Sequence, residues 1–386
     1  MELEGAFFRD TWAEIDLDAI FYNVAEMKKR LNPKSKLFAV VKANGYGHGA
    51  FQVAQTALEA GAEYLAVAFL DEAIQLRQKG INAPILVLGA VRCTDLKMAV
   101  KHNITVTMFD LDWLKKAASF LNREHSLKVH VKLDTGMGRI GLREKKELIE
   151  VENILSENQN IVVEGVFTHF ATADELNTIY MERQLHRFQE LLSCFPEKPA
   201  IIHCSNSASS LLHPDIQYNA IRMGISMYGL TPSLEIEKLL PFPLKEAFSL
   251  HTRIVQVKKL QKGEKVSYGA TYEAMEDEWI GTLPIGYADG WLRKLSGQEV
   301  LVNGERVPII GRICMDQCMI KLQSYVKPGT KVTLIGEQKF GTISVNEIAA
   351  KLKTINYEVT CSISNRVPRL YKRAGKYIEL VNPLLG

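Results

Sequence analysis

The residues best suited to chemistry begin with a lysine that closes an apolar run. Leu37-Phe38-Ala39-Val40-Val41 leads into Lys42, and Ala43-Asn44-Gly45-Tyr46-Gly47-His48-Gly49 follows. A buried strand that delivers one ammonium to its C-terminal lip favours loss of the proton, because burial strips solvation from the charged form. A neutral amine can condense with a carbonyl compound to a Schiff base. A solvated lysine ending an ordinary strand fits these residues equally well. What separates the two readings is the company Lys42 keeps. Lys132-Leu133-Asp134-Thr135-Gly136-Met137-Gly138-Arg139, then His169, then His203-Cys204-Ser205-Asn206-Ser207, then Arg222-Met223-Gly224-Ile225 each follow an apolar run of their own.

The elements that must position these residues alternate between strands and helices. Strand patterns cover 37–42, 64–68, 85–88, 104–108, 128–133, 162–168, 200–204 and 220–223. Helical patterns between them cover 50–60, 70–79, 111–122, 145–157 and 180–194, with Gly61, Gly80, Pro84, Gly89, Pro196 and Pro199 at the joints. Eight such runs in the first 230 residues match a (β/α)8 barrel of the TIM type. A doubly wound open sheet is the alternative, but the first βα turn lacks GxGxxG. In a barrel the C-terminal strand ends share one mouth, so the lysines, arginines, histidines and serine-rich turn above converge. A histidine taken alone is more often structural than catalytic. The collection on one face is what chance does not supply.

The segment 231–248, TPSLEIEKLLPFPLKEAF, interrupts the alternation and marks a boundary, giving a barrel over 1–244 and a mainly β domain over 245–386. Strand patterns there cover 250–258, 266–268, 279–283, 300–302, 307–310, 319–322 and 332–335, with one clear helix over 344–353. Asn303-Gly304 between β-branched runs signals a two-residue hairpin. The opening strand pattern, 11–17, fits either domain.

Composition excludes several classes of function. The chain has 386 residues, net charge +3 without a basic block, 47% hydrophobic and 24% charged residues. Nothing here recruits nucleic acid or an anionic membrane. The first residues, MELEGAFFRDTW, lack the basic and apolar regions of a signal peptide, and no run approaches a membrane span. The six cysteines form no CxxC pair, so neither a metal site nor a disulfide framework is expected, and reduced thiols in a cytoplasmic protein fit better.

Loops after barrel strands seven and eight commonly hold a phosphate. Ser207 offers a hydroxyl there, and Gly224 lets backbone approach. A phosphate site beside a Schiff-base lysine points to pyridoxal 5′-phosphate (PLP).

The segments AVVKANGYGHG, VKLDTGMGRIG, FTHFATAD, HCSNSAS, RMGISMYG, KVSYGATY, LPIGYADGW, GRICMDQCM and INYEV, in this order, resemble alanine racemase. The likeness runs from about residue 10 to residue 370. It implies a PLP-dependent barrel plus β domain, and a homodimer whose active site joins one chain's barrel to its partner's second domain. It further implies that Lys42 carries PLP and serves the D enantiomer, while Tyr268 is the base for the L enantiomer. A phenol ionises near pH ~10 in model compounds, so Tyr268 needs help to act near neutrality. A cationic neighbour would provide it, and His169 is the partner the resemblance names. Arg222 would meet the pyridine nitrogen. A guanidinium only donates, which keeps that nitrogen unprotonated and the ring a weaker electron sink. Arg139 would face the PLP phenolate oxygen and the substrate carboxylate, with Lys132 often carbamylated beside it. Tyr46, Asn206, Ser207, Gly224, Ile225 and Tyr357 would hold the cofactor, mostly through its phosphate. From the partner, Met315 would contact substrate and Tyr287 would narrow the entry. A pocket so restricted favours the methyl side chain of alanine, but a single hydroxyl is separated by only ~1–3 kcal/mol, so serine leakage is expected. A related amino-acid racemase shares these features. A barrel-type PLP-dependent decarboxylase would set a carboxylate at the ring nitrogen where this chain has Arg222. A non-catalytic PLP-binding module would lack the second domain.

Overall fold

The computed structural model describes residues 7–121 and 126–385. Two compact units divide the chain: one contains Ile20–Gly45 and Ala50–Lys245, the other the described residues up to Ala19, Tyr46–Gly49 and the chain from Glu246 onward.

The first of these is an eight-stranded parallel barrel. Its strands, in chain order, are Lys36–Val40, Tyr64–Val67, Ile85–Val87, Thr105–Met108, Leu127–Lys132, Ile161–Phe167, Ile201–His203 and Ala220–Met223. The first seven each pair with their sequence neighbours, and the eighth pairs with the first through Lys36↔Ala220 to Ala39↔Met223. Between the seventh and eighth strands the Arg222 N–H donates to the Ser205 carbonyl at 3.0 Å, so the cylinder is nearly closed. Helices Ala50–Glu59, Leu70–Gln78, Leu96–Lys101, Leu111–Phe120, Lys145–Glu157, Ile179–Leu192 and Ser207–Leu212 form the connections. The helix expected over 111–122 ends at Phe120, and Asn122 lies outside the described residues. Apolar side chains alone do not fill the interior. Phe38, Tyr64, Leu86, Ile201 and Ala220 make a cluster, Phe38 stacks on Tyr64 at 4.2 Å, and Phe167 stacks on His203 at 4.8 Å.

The second unit is built on an eleven-stranded sheet. Thr11–Asp16 belongs here, antiparallel to Phe248–Arg253 and parallel to Arg369–Arg373. Asn303 and Gly304 both adopt left-handed φ (55° and 92°) and join Glu299–Val302 to Glu305–Ile310, as a hairpin turn of this type requires. Three expectations change in this unit. The run 250–258 is two strands, Phe248–Arg253 and Gln256–Leu260, because its halves pair with different partners, Lys331–Gln338 and Glu278–Leu283. The strand expected over 266–268 stops at Val266, since Ser267 turns to φ 69° and places Tyr268 on a 3₁₀ turn, Tyr268–Ala270. A second helix, Asn356–Ser362, follows Val345–Leu352; at seven residues it is too short for periodicity to declare it.

Among the described residues no helix is long and apolar enough to cross a membrane. Among the same residues no group of three or more His, Cys, Asp or Glu side chains is arranged to hold a metal ion.

Candidate active site

Lys42 follows the first barrel strand by two residues, where the backbone turns left-handed: Ala43, Asn44 and Gly45 have φ of 51°, 55° and 60°. A left-handed residue with a Cβ costs roughly 1–2 kcal/mol, so the turn must be held by its surroundings. Glu72 is the main clamp. Its Oε1 accepts the Ala43 N–H at 2.7 Å, while Oε2 accepts Ala68 N–H at 2.8 Å. The Asn44 carboxamide accepts Ala50 N–H at 3.0 Å, and Gly45 N–H reaches the Val41 carbonyl at 2.8 Å. Nothing in the spacing around Glu72 distinguished it from an ordinary acidic residue in the first turn of a helix.

After the fifth strand Asp134 organises the LDTGMG turn, its Oδ1 accepting the N–H groups of Gly136 (3.2 Å) and Gly138 (2.9 Å). Gly141 closes the loop at φ 130°, where a Cβ would lie 2.7 Å from Asp134 N. This turn leaves Arg139 exposed and Lys132 buried. Burial first, then the charges of Arg222 and Arg139, push the Lys132 amine well below its ordinary range, with Asp134 opposing. Its Nζ has no hydrogen-bond partner and lies 4.7 Å from the Phe167 ring centroid.

Arg222, on the eighth strand, is buried and heavily bonded. Nη1 donates to His203 Nδ1 at 2.7 Å and to the His203 carbonyl at 3.1 Å. Nη2 donates to the carbonyls of Thr168 (2.8 Å) and Cys204 (3.1 Å), and lies 3.3 Å from His169 Nδ1. The Nε–H takes no part in these contacts. His169 is flanked by cations. Burial, then Arg222, Lys132, Arg139 and Lys42, depress its pKa well below the usual value. The imidazole is therefore held neutral within the barrel, and does not supply the cation expected from it for a tyrosine partner. With Nδ1 accepting from Arg222, its proton stays on Nε2.

The seventh and eighth strand ends meet through Ser207 and Gly224. Asn206 caps the helix Ser207–Leu212, its Oδ1 accepting Ser209 N–H at 3.1 Å. Ser207 Oγ accepts Gly224 N–H at 2.8 Å, which leaves the hydroxyl proton to donate. Ile225 is buried in the 3₁₀ turn Ile225–Tyr228. His203, read from sequence as a candidate with a structural alternative, is a support for Arg222; His130 beside it was not singled out, because one histidine inside an apolar strand carries no local signal.

Lys132, His169 and Arg222 are thus brought together, as are Ser207 and Gly224. Lys42 and Arg139 act on the first group through their charge. Tyr46, Tyr357, Tyr268, Met315 and Tyr287 belong to the other unit. Tyr46 is buried there, its ring centroid 6.0 Å from that of Tyr357, and burial raises its phenol above the ordinary value. Gly47 beside it has φ 85°, and a Cβ would meet the Thr360 carbonyl at 2.2 Å. Tyr268 is 70% exposed and Met315 53% exposed, and both line an open depression of about 510 Å³ with Ser267, Cys314, Asp316 and Gln317. Tyr287 N–H donates to the Cys314 carbonyl at 3.0 Å, which sets it beside Met315.

The barrel mouth therefore gathers Lys42, Lys132, Arg139 and Arg222 about His169, with the Asp134 carboxylate opposing them at Lys132. Such a set is suited to a ligand carrying several anionic oxygens, as PLP does. It also sets a pH dependence. His130, His169 and His203 all have pKa values lowered, by burial first, so above pH ~6.5 neither folded nor unfolded forms bind their protons. Below that pH the unfolded histidines take up protons that the folded ones refuse. Stability is expected to fall as pH drops from 6.5 toward the lowered values, by up to ~1.4 kcal/mol per pH unit for each histidine. Thermal midpoints of the protein between pH ~8 and ~5 measure this; a flat profile contradicts it.

Two family models match the chain: alanine racemase, N-terminal domain, over residues 15–232, and alanine racemase, C-terminal domain, over residues 247–371. The chain is 57% identical over 376 residues to the alanine racemase of Geobacillus kaustophilus, covering 97% of this chain and 98% of that one. It is 55% identical over 378 residues to that of Geobacillus stearothermophilus, covering 98% and 97%. The crystal structure of alanine racemase from Bacillus anthracis with bound L-Ala-P superposes with a TM-score of 0.96 at 50% identity, covering 98% of this chain and 99% of that one.

Proposed function

The chain belongs to the alanine racemase family, and we propose from that premise that its barrel mouth is where L-alanine and D-alanine are interconverted with PLP as cofactor. The observation that carries this reading is the cluster of Lys132, Arg139, Arg222 and Lys42 about a neutral His169. PLP, when bound, supplies an electron sink that makes the substrate Cα proton removable. Lys42 would anchor it through its amine and exchange a proton with one face of Cα. Ser207 and the backbone at Gly224 and Ile225 would hold the phosphate, with Asn206 keeping the helix N-terminus in place. Tyr46 and Tyr357 are the proposed phosphate partners in the other unit. Arg222 Nε–H is the donor left for the ring nitrogen, and Arg139 the cation for phenolate and substrate carboxylate. A guanidinium on the ring nitrogen argues for racemisation over decarboxylation, because it holds the sink weak.

Inversion requires a second proton carrier on the opposite face. Tyr268 is the proposed one, supplied by a second copy of the chain together with Met315 and Tyr287. His169 Nε2–H would hydrogen-bond the phenolate oxygen and stabilise it without a formal charge. The homodimer, a cytoplasmic location and a supply of D-alanine to the cell wall are parts of the same proposal.

An amine whose pKa is lowered, by burial first and then by neighbouring cations, is a nucleophile toward carbon dioxide. The neutral nitrogen bonds the carbon, one proton leaves to solvent, and a carbamate anion takes the place of a neutral amine next to Arg139 and Arg222. Lys132 is proposed to exist in this form. In the holoenzyme equilibrated with ¹³C-bicarbonate, a carbamate carbon resonance is expected in the wild type and absent from Lys132→Ala. An identical spectrum for the two proteins contradicts it.

The direct test of function is a racemisation assay on each alanine enantiomer. Loss of optical rotation to zero from both sides is expected; release of carbon dioxide without racemisation would overturn the reading.

A further inference from the structure

A line of side chains crosses the barrel interior beneath Arg222 without touching the mouth. Arg222 Nη1 lies 2.7 Å from His203 Nδ1, His203 Nε2 lies 2.8 Å from His130 Nδ1, and His130 Nε2 lies 3.3 Å from Glu164 Oε2. A guanidinium has no acceptor, so His203 Nδ1 must be the unprotonated nitrogen. Neutral His203 then carries its proton on Nε2 and donates to His130 Nδ1. His130 in turn keeps its proton on Nε2, facing the Glu164 carboxylate. The sense of every bond is thus imposed from both ends, by a cation that cannot accept and an anion that cannot donate.

Glu164 is suited to the second role. Burial opposes its ionisation, but hydrogen bonds from His130 and Tyr64, with the nearby His130 and Lys128, hold its carboxyl down at about 2. Tyr64 Oη lies 2.7 Å from Glu164 Oε2 and 2.8 Å from Thr105 Oγ1, and Lys128 Nζ lies 3.2 Å from Oε1. The two rings are closely packed. His203 stacks on Phe167 at an interplanar angle of 2°, and a Cβ at Gly165 would come within 2.7 Å of His130 Nδ1. Reversing His203 to the other tautomer would set two donors against each other 2.7 Å apart, a gap too short for a water to enter.

We propose that His130 and Glu164 are positioning residues for racemisation: they hold His203 as a one-way acceptor for Arg222, which leaves the Arg222 Nε–H as the donor free for the cofactor ring. The inference rests on the racemase reading for the role of Arg222, but the tautomers can be read without turnover.

The test uses the holoenzyme labelled with ¹⁵N-histidine and solid-state ¹⁵N spectra, with His130→Asn and His203→Gln for assignment. In the wild type, His203 and His130 are each expected to show a protonated Nε2 and an unprotonated Nδ1, unchanged between pH ~6 and ~9. An Nδ1–H on His203, or an imidazolium at either position, overturns the proposal, and this arm stands alone should a variant not fold. Glu164→Leu, which removes the terminal acceptor, is expected to broaden or shift the His203 resonances and move the cofactor absorption band. It should lower kcat about tenfold with KM for alanine little changed, as for loss of one charge-assisted hydrogen bond. Glu164→Gln keeps an acceptor oxygen and should restore most of kcat. A folded Glu164→Leu with unchanged spectra and kcat, differing only in melting temperature, contradicts the role. A wild type with the expected tautomers but no racemisation would instead refute the racemase reading.

Discussion

Lys42→Ala is expected to reduce kcat for racemisation of either enantiomer by at least about ten-thousandfold, the scale seen when the residue that carries covalent chemistry is removed. Lys42 carries two duties in the proposed mechanism, anchoring the cofactor and moving a proton on one face, so both directions fail together. The fold should survive the change. Lys42 is not fully buried, and the left-handed turn behind it is held by Glu72, Asn44 and the Val41 carbonyl. Borohydride treatment of the wild-type holoenzyme should place a reduced cofactor adduct on the peptide bearing Lys42, with none on the variant. Residual activity within about tenfold of the wild type would remove Lys42 from the chemistry.

Tyr268→Phe is expected to lower kcat/KM about a thousandfold, within the range for loss of a general acid–base group. By symmetry the two enantiomers are equal in free energy, so kcat/KM must fall by the same factor in both directions, whichever face loses its base. The assay on each enantiomer therefore checks the size of the effect but not the face. Tyr268 is 70% exposed on a 3₁₀ turn, so its hydroxyl is not part of the core and the variant should melt near the wild type. Measurement of kcat/KM with L- and D-alanine tests the magnitude. A drop under about tenfold would mean that another group carries the proton on that face.

The barrel was legible because its cue is repeated: eight β-rich runs at helix-sized spacing. The Asn303-Gly304 hairpin was legible for a local reason, two residues whose left-handed φ matches one turn type. What failed to show were features set by pairing partners or by contacts distant in sequence. The break between Phe248–Arg253 and Gln256–Leu260 lies inside a run of uniform pattern, and only the strands on either side reveal it. The helix Asn356–Ser362 spans two turns, too few for a period.

The candidate site divides in the same way. Lys42 and Arg139 stood out as polar residues that close strand runs, whereas Tyr268 was found through a resemblance. Tyr268 read alone is an aromatic residue beside a strand turn. Glu72, His130 and Glu164 stand in no motif, yet they clamp the turn after Lys42 and line the interior below Arg222. Their roles come from which atom meets which across the barrel, and that information arises only on folding. The neutral state of His169 is of the same kind, since it follows from burial and from four cations contributed by three strand ends.

Two proton carriers on opposite faces of one carbon are the central claim, and isotope exchange separates the faces that equilibrium rates cannot. Wild type, Tyr268→Phe and Lys42→Ala would each be incubated with α-deuterated L- and D-alanine in ordinary water. Tyr268→Phe should wash deuterium out of D-alanine while the amino acid stays D, and leave the label of L-alanine in place. The opposite pattern, or loss of label from both enantiomers at wild-type rates, would contradict the assignment of Lys42 and Tyr268 to the two faces.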